Sequence, residues 1–150
     1  HLGLPYGFAS HFAPEALTQA VDVYRRGFQP SEQATEPWVI AGVNVIVAPT
    51  EREAAEELNH ATRSRVAALL APGRKLSDAE LDSVMSSPGG RQVASMMRYT
   101  ASGTPDTVKT YLDDFQQHAN ADELIVVPAS RSVENRLQSL ELLAQVSRLG

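Results

Sequence analysis

The sequence contains no cysteine in 150 residues. Disulfide bonds, thiolate metal ligands and a cysteine nucleophile are therefore excluded for these residues. Positive charge is also scarce, because 13 Lys and Arg face 18 Asp and Glu and leave a net charge of −5. A nucleic-acid-binding surface needs concentrated positive charge, so the composition predicts no nucleic-acid partner.

Long apolar runs are lacking as well. None approaches the roughly 20 residues that a membrane-spanning helix needs, so we expect no membrane partner, and the cytoplasm is the default location. The four histidines show no metal-ligand spacing near paired carboxylates, so no metal is expected. His60 and His118 lie in polar surroundings and are interpreted as surface residues.

Three apolar segments predict β-strands. They are residues 6–10, a stretch within residues 39–48, and residues 123–127. The second and third are almost uninterrupted runs of Val, Ile and Leu, a pattern typical of strands that are buried on both faces of a parallel sheet.

Helix-start signals follow each strand. Pro14 suits a first helical position, and Thr50 and Ser77 each precede a glutamate by three residues, which is the capping-box spacing. Further helices are predicted to begin at Thr104-Pro105 and near Ser132. The apolar stripe predicted to face inward on the last helix comprises Val133, Leu137, Leu140 and Ala144.

Two segments are predicted to be irregular, residues 29–37 and residues 86–103. The second begins with Ser86-Ser87-Pro88-Gly89-Gly90 and is long for a plain connection. Such excursions are often lids or binding loops.

The alternation of strands and helices predicts an α/β fold with right-handed crossovers and helices outside a parallel sheet. Three parallel strands alone leave two exposed sheet edges. The sequence also opens on a strand and without methionine. We therefore expect residues 1–150 to be a single domain that forms part of a longer protein.

Five blocks of the sequence together resemble one family. They are residues 2–14 (LGLPYGFASHFAP), 24–31 (YRRGFQPS), 43–50 (VNVIVAPT), 103–108 (GTPDTV) and 122–127 (DELIVV). In this order they are similar to luciferase-like flavin-dependent oxidoreductases, the bacterial luciferase-like monooxygenases. The blocks span nearly the whole chain, which makes the resemblance fairly specific, whereas any single block would be weak.

The resemblance implies a (β/α)8 TIM barrel, of which this chain would be roughly the C-terminal half. Members bind FMN, or alternatively the deazaflavin F420, and act on small molecules by hydride transfer or oxygenation. A separate flavin reductase often supplies the reduced flavin. The family's N-terminal strands, its best-known catalytic histidine and its serine-rich phosphate-binding segment are not in this sequence. The resemblance thus leaves the catalytic residues unknown and implies that the chain alone is inactive.

The end of the first strand is the predicted cofactor-binding site. Ser10, His11 and Phe12 would border the flavin pocket, because side chains at the carboxyl ends of barrel strands line the ligand site. In the structural alternative, His11 caps the loop before Pro14 and Phe12 packs in the core. Gly103-Thr104-Pro105 could hold an anion at a helix N-terminus, but simple capping explains that motif equally well.

Two other interpretations of the whole chain stay open at this point. The first is a non-catalytic flavin-binding or structural half-barrel that dimerises and so buries its open sheet edges. The second is an unrelated three-stranded α/β domain, which the ordered set of motifs disfavours.

Overall fold

The computed structural model describes residues 2–10 and 13–147. The strands and helices alternate along the chain, as the sequence predicts. In chain order they are β1 (Tyr6–Phe8), a 3-10 turn (Pro14–Ala16), α1 (Leu17–Gly27), β2 (Val39–Val47), α2 (Glu51–Leu70), α3 (Asp78–Ser86), α4 (Pro88–Ser95), β3 (Thr100–Gly103), α5 (Pro105–Ala119), β4 (Glu123–Pro128) and α6 (Val133–Val146).

Strand β2 is the centre of a parallel sheet. β1 pairs with its first residues and β4 pairs with it from Ile40 to Val45. The amide of Tyr6 donates to the Trp38 carbonyl over 2.8 Å, and the amide of Asp122 donates to the Val39 carbonyl over 2.9 Å. Successive residues of a strand direct their backbone groups to opposite edges, so β1 and β4 flank β2. The three predicted strands are confirmed: they are parallel, and they lie side by side in the order in which they occur in the chain.

The segment predicted to be irregular between residues 86 and 103 contains regular structure, so that prediction was wrong. Helix α4 begins there because the Ser87 hydroxyl accepts the Gly90 amide over 3.0 Å and Pro88 occupies the first helical turn. Strand β3 then pairs with the last residues of β2 on the edge that β1 also uses. Its four residues, Thr-Ala-Ser-Gly, are too few and too small to give a strand signal.

The two faces of β2 are covered by different helices. Val39, Ala41 and Val43 point to one face and pack with buried residues of α1 and α5, including Leu17 and Phe115. Ile46 points to the opposite face and packs against Ala61 of α2 and Met97. Residues of opposite parity in a strand face opposite sides, so α2 lies across the sheet from α1 and α5, near the carboxyl end of β2.

Helix α6 turns a different face inward from the one predicted. Val133 and Leu137 are each 56% exposed and Leu140 is 38% exposed, whereas Ser139 and Leu143 are buried. The reason is a pair of hydrogen bonds from the end of β2. Ser139 Oγ donates to the Val47 carbonyl over 2.9 Å and accepts the Val47 amide over 3.1 Å.

The helix caps predicted at Thr50 and Ser77 are present, and Ser132 caps α6, which begins where the sequence predicts a helix. Each side chain accepts a backbone amide three residues later, and Ser77 with Glu80 forms the complete capping box. Among the residues that the structure describes, no helix is both long enough and apolar enough to cross a membrane.

Candidate functional site

The carboxyl ends of β1, β2 and β4 lie at one edge of the sheet because the strands are parallel. Ser10 follows the end of β1 and is fully buried. Its hydroxyl donates to the Gly42 carbonyl over 2.5 Å, which ties the segment after β1 to the middle of β2. Its contact with a flavin stays a prediction. The other two predicted cofactor-binding residues, His11 and Phe12, lie outside the described residues.

A cleft of about 360 Å³ lies beside the carboxyl ends of β2 and β4. Its walls come from the end of β2, the first half of α2, and the β4–α6 loop with the start of α6. The lining residues are Val47, Ala48, Pro49, Glu53, Glu56, Glu57, His60, Ser130, Arg131, Asn135 and Gln138. We refer to it as the carboxyl-end cleft.

Three glutamates of α2 line the carboxyl-end cleft, and each is held by a neighbour. Glu57 accepts the Arg131 amide over 3.1 Å, Glu53 accepts the Thr50 hydroxyl over 2.8 Å, and Glu56 pairs with Arg52 over 2.8 Å. Residues three and four apart share one face of a helix, which explains how these carboxylates converge. Among the residues that line the carboxyl-end cleft, Arg131 alone carries a permanent positive charge.

Ser130 also lines the carboxyl-end cleft and is only 5% exposed. Its Oγ lies 3.4 Å from Ser139 Oγ. Because Ser139 gives its single hydroxyl hydrogen to Val47, Ser130 is the donor in this contact. Ser130 is thereby joined through Ser139 to the end of β2.

The N-terminus of α5, where the sequence suggests either anion binding or capping, is occupied by a carboxylate of the chain itself. Glu51 Oε1 accepts the Thr107 hydroxyl over 2.6 Å, the Thr104 hydroxyl over 3.0 Å and the Thr104 amide over 3.1 Å. The bond from Thr107, followed by those from Thr104, holds the pKa of Glu51 below its usual value. A Cβ on Gly103 would lie 2.9 Å from Glu51 Oε2, so glycine permits this approach.

The sequence analysis missed the carboxyl-end cleft. In the sequence, the side of α2 that carries Glu53, Glu56, Glu57 and His60 has the pattern of a solvated helix face. The segment that faces it lies far along the chain, since Arg131 follows Glu57 by 74 positions. No local signal joins the two. Within residues 2–10 and 13–147, no group of three or more His, Cys, Asp or Glu residues is arranged to hold a metal ion.

Several curated proteins are similar to this chain, although no family model matches it. The uncharacterised Bacillus subtilis protein YddN is 36% identical over 156 residues, which cover 97% of this chain and 43% of that protein. An Escherichia coli protein named luciferase-like monooxygenase is 47% identical over 53 residues, 35% of this chain and 16% of its own length. The chain thus spans less than half the length of these relatives.

Solved structures extend the comparison to the fold. The crystal structure of apo-MsnO8 matches 99% of this chain and 46% of its own with a TM-score of 0.76 and 31% sequence identity. A riboflavin lyase, RcaE, whose crystal structure contains modified FMN and riboflavin, matches 97% of this chain and 38% of its own. Its TM-score is 0.57 at 15% identity, which speaks for the fold alone. The chain therefore has an α/β fold with a parallel sheet that is similar to these enzymes.

Proposed function

We propose that this chain belongs to the luciferase-like flavin-dependent oxidoreductases and forms about the C-terminal half of a (β/α)8 barrel. The match to MsnO8 over 99% of the chain supports the proposal most strongly. The 53-residue similarity to a luciferase-like monooxygenase supports the same family. The adjacent parallel strands β1, β2 and β4 fit consecutive strands of such a barrel.

The proposed contact of this chain is with the ring of the flavin rather than with its phosphate. Ser10 lies at the carboxyl end of β1, where with His11 and Phe12 it would border the ring. At the N-termini of α2 and α6, Thr50 and Ser132 each cap one amide and acidic side chains lie in the first turn, while Glu51 occupies the N-terminus of α5, so these helix ends disfavour a phosphate. In this proposal the chain borders the ring and keeps water from it, and residues outside the described ones hold the phosphate.

The proposed cofactor is FMN, with F420 as the alternative. When bound, it would supply hydride transfer or oxygen activation toward a small-molecule substrate. A flavin reductase is a proposed partner, as is either a second copy of the chain or a complementary N-terminal half. The proposed location is the cytoplasm, and the catalytic residues stay unassigned.

A second candidate is a non-catalytic half-barrel that binds flavin or serves as a structural unit and dimerises. The observations that favour it are an edge of β4 with which no described residue pairs, and exposed apolar side chains on β4 and α6, where Ile125 is 55% and Leu137 is 56% exposed. Oxygen consumption with NADH and FMN distinguishes the two candidates, because only an oxidoreductase, once completed by its partner, turns over.

Flavin binding by the purified chain tests the main proposal. We expect saturable quenching of flavin fluorescence, with FMN and riboflavin bound within about threefold of each other, because a phosphate bound at no helix N-terminus adds little affinity. His11→Ala and Phe12→Ala should each weaken the binding of both flavins, whereas His118→Ala on α5 should leave the affinity for both unchanged.

Two outcomes would contradict this proposal. If neither FMN, riboflavin nor F420 binds, the flavin assignment is wrong. If FMN binds far more tightly than riboflavin, this chain holds the phosphate, and our account of which part of the flavin it contacts is wrong.

A further inference from the structure

We propose that Asn44 is a ligand-binding residue whose carboxamide pairs with a group that carries an N–H donor beside a carbonyl acceptor. This inference deepens the proposed function, and its choice of ligand rests on that function. Within it, the group is the imide edge of the flavin ring, where the N–H at ring position 3 lies beside a carbonyl.

Asn44 is the only polar residue of β2, whose nine residues read VIAGVNVIV. It is 2% exposed and lies in the centre of the sheet, in register with Thr100 of β3 and Val127 of β4. Burial of a carboxamide is unfavourable unless its donor and its acceptor are both hydrogen-bonded. The strand gives no structural reason for an amide here, since valine suits a buried strand better.

The fold makes little use of the Asn44 side chain. The backbone amide of Asn44 donates to the Tyr99 carbonyl over 3.0 Å, so the main chain is held by the sheet. The one hydrogen bond from the side chain to a described residue joins Nδ2 to Met97 Sδ over 4.0 Å, and a thioether is a weak acceptor. No described residue donates a hydrogen bond to Oδ1. The carboxamide therefore retains an unused acceptor and a weakly engaged donor.

The unused oxygen of Asn44 is open to the surface. Among the described residues, Arg25 Nε is the only fully enclosed side-chain nitrogen or oxygen that lacks a hydrogen-bond partner. Since Asn44 Oδ1 also lacks a partner there, it is not fully enclosed. A ligand atom can therefore approach this oxygen.

The face of the sheet that carries Asn44 is uncovered on one side of it. Even-numbered residues of β2 lie on the face opposite to α1 and α5. On that face the preceding position is Gly42, which has no side chain, and its partner Ile125 on β4 is 55% exposed. The following position, Ile46, is covered by α2. Asn44 thus lies at the border between the covered and the open part of this face.

Ser10 connects Asn44 with the predicted cofactor-binding segment. The buried hydroxyl of Ser10 donates to the carbonyl of Gly42, two residues before Asn44. Two strand residues span about 6.5 Å, which is less than the length of a tricyclic ring. A flavin that borders Ser10 can therefore reach Asn44 with the polar edge of its ring.

The chemistry of a carboxamide selects the ligand group. Its carbonyl accepts and its NH₂ donates at a fixed spacing, so it pairs best with a group that presents a donor and an acceptor in the reverse order. The imide edge of a flavin has this arrangement. A carboxylate or a phosphate offers acceptors alone and would leave Asn44 Oδ1 without a donor.

Binding of riboflavin and 3-methylriboflavin to the purified chain tests this pairing, because methylation at ring position 3 removes the donor. Asn44→Leu keeps a similar size, removes both polar groups, and should weaken riboflavin binding about tenfold. It should change the affinity for 3-methylriboflavin less than about threefold, so that the preference for riboflavin is lost. Asn59→Leu, at an exposed position of α2, is the matched control and should leave both affinities unchanged.

Thermal unfolding without flavin shows whether the amide serves the ligand or the fold. Asn44→Leu and Asn44→Val are each expected to raise the thermal midpoint of the ligand-free chain by a few degrees, because each removes a buried amide that the fold does not satisfy. Asn59→Leu should not raise it. A lower midpoint in both Asn44 variants would show that the amide stabilises the fold and would overturn the inference.

The wild-type titration separates this inference from the proposed function. If the wild-type chain binds riboflavin and Asn44→Leu binds it equally well, this inference is wrong and the proposed function stands. If the wild-type chain binds neither flavin, the proposed function is wrong, and the flavin as the partner of Asn44 is refuted with it.

Discussion

At the scale of single residues, Glu51 joins two helices that are distant in sequence. It is the first residue of α2, and its carboxylate accepts hydrogen bonds from Thr104 and Thr107 in the first turn of α5. The pKa of Glu51 is lowered in the folded chain by these bonds. Stability from this group is therefore fully present above the unfolded-state pKa of about 4.5 and is lost as the pH falls through the lower folded-state value.

Glu51→Gln is expected to lower the thermal midpoint by a few degrees at pH 7, because a neutral amide accepts the three hydrogen bonds less strongly than a carboxylate. As the pH is lowered from 7 to 2 and the wild-type carboxyl takes up its proton, the difference between the two proteins should shrink. Circular dichroism melts of both proteins at the two pH values measure the thermal midpoints. Glu36→Gln is the control, and an equal deficit at both values would contradict the role of the charge.

Residue-level features were predictable when both partners lie within one turn. Thr50, Ser77 and Ser132 each cap the helix that they precede, and a hydroxyl before an apolar-periodic stretch is enough to show it. The hydrogen bonds of Glu51 and Ser10 could not be predicted in this way. Their partners lie 53 and 32 positions away, at Thr104 and Gly42, and only the folded chain brings them together.

At the scale of elements, α3 and α4 meet at a junction that requires glycine at one of two adjacent positions. A Cβ on Gly90 would lie 2.0 Å from the Val84 carbonyl oxygen and 2.7 Å from that of Met85. A Cβ on Gly89 would make only ordinary contacts, with Leu70 at 3.5 Å and Ser87 Oγ at 3.9 Å. The two glycines therefore have different roles, although the sequence presents them as one flexible pair.

Gly90→Ala is expected to destabilise the chain by about 1–3 kcal/mol, because backbone atoms must move to admit the methyl group. Gly89→Ala should be neutral or stabilising by up to about 1 kcal/mol, since alanine is the better helix former. Urea denaturation of both variants measures the free energy of unfolding. Similar values for the two would show that the junction is loose.

The long apolar strands were predictable, but β3, α4 and the inward face of α6 were not. Residues 43–47 are predicted to form a buried strand, because a short and almost uninterrupted apolar run is typical of strands that are covered on both faces. Strand β3 owes its existence to pairing with β2, which its own residues do not signal. Helix α6 turns Ser139 inward because β2 offers backbone groups there, and periodicity alone points to the leucines.

At the scale of the whole molecule, β4 is an open edge strand among the described residues. β4 pairs with β2 on one edge, and nothing among the described residues pairs with the other. Ile125 of β4 is 55% exposed, and the apolar side chains of Val133, Leu137 and Leu140 on α6 are exposed as well. Unpaired strand edges with apolar neighbours favour self-association.

Ile125→Lys is therefore expected to reduce concentration-dependent association of the chain and leave its thermal midpoint nearly unchanged, because a lysine on an edge strand blocks edge-to-edge pairing. Light scattering over a range of concentrations measures the mass. Leu69→Lys, on a residue of α2 that is 54% exposed, is the control and should not alter the mass. Equal effects would place the association elsewhere.

The general α/β architecture could be inferred from the sequence, and the cleft could not. Apolar strand segments that alternate with helix-start signals indicated the parallel sheet. The carboxyl-end cleft arises from α2 crossing to the face opposite α1 and α5, a placement set by the packing of Ile46 against Ala61. Periodicity identifies the apolar face of a helix, but it does not tell which face of the sheet that helix covers.

The bonds between Ser139 and Val47 have a consequence for redesign. A side chain of α6, rather than two more strand residues, terminates the ladder beyond Ala129. The chain from Ser130 to Ser132 is thereby released from sheet pairing. Its length and the side chain of Arg131 can be varied to change what the adjacent opening accepts, while the register of every strand is preserved, provided that Ser139 and the helix cap Ser132 are retained.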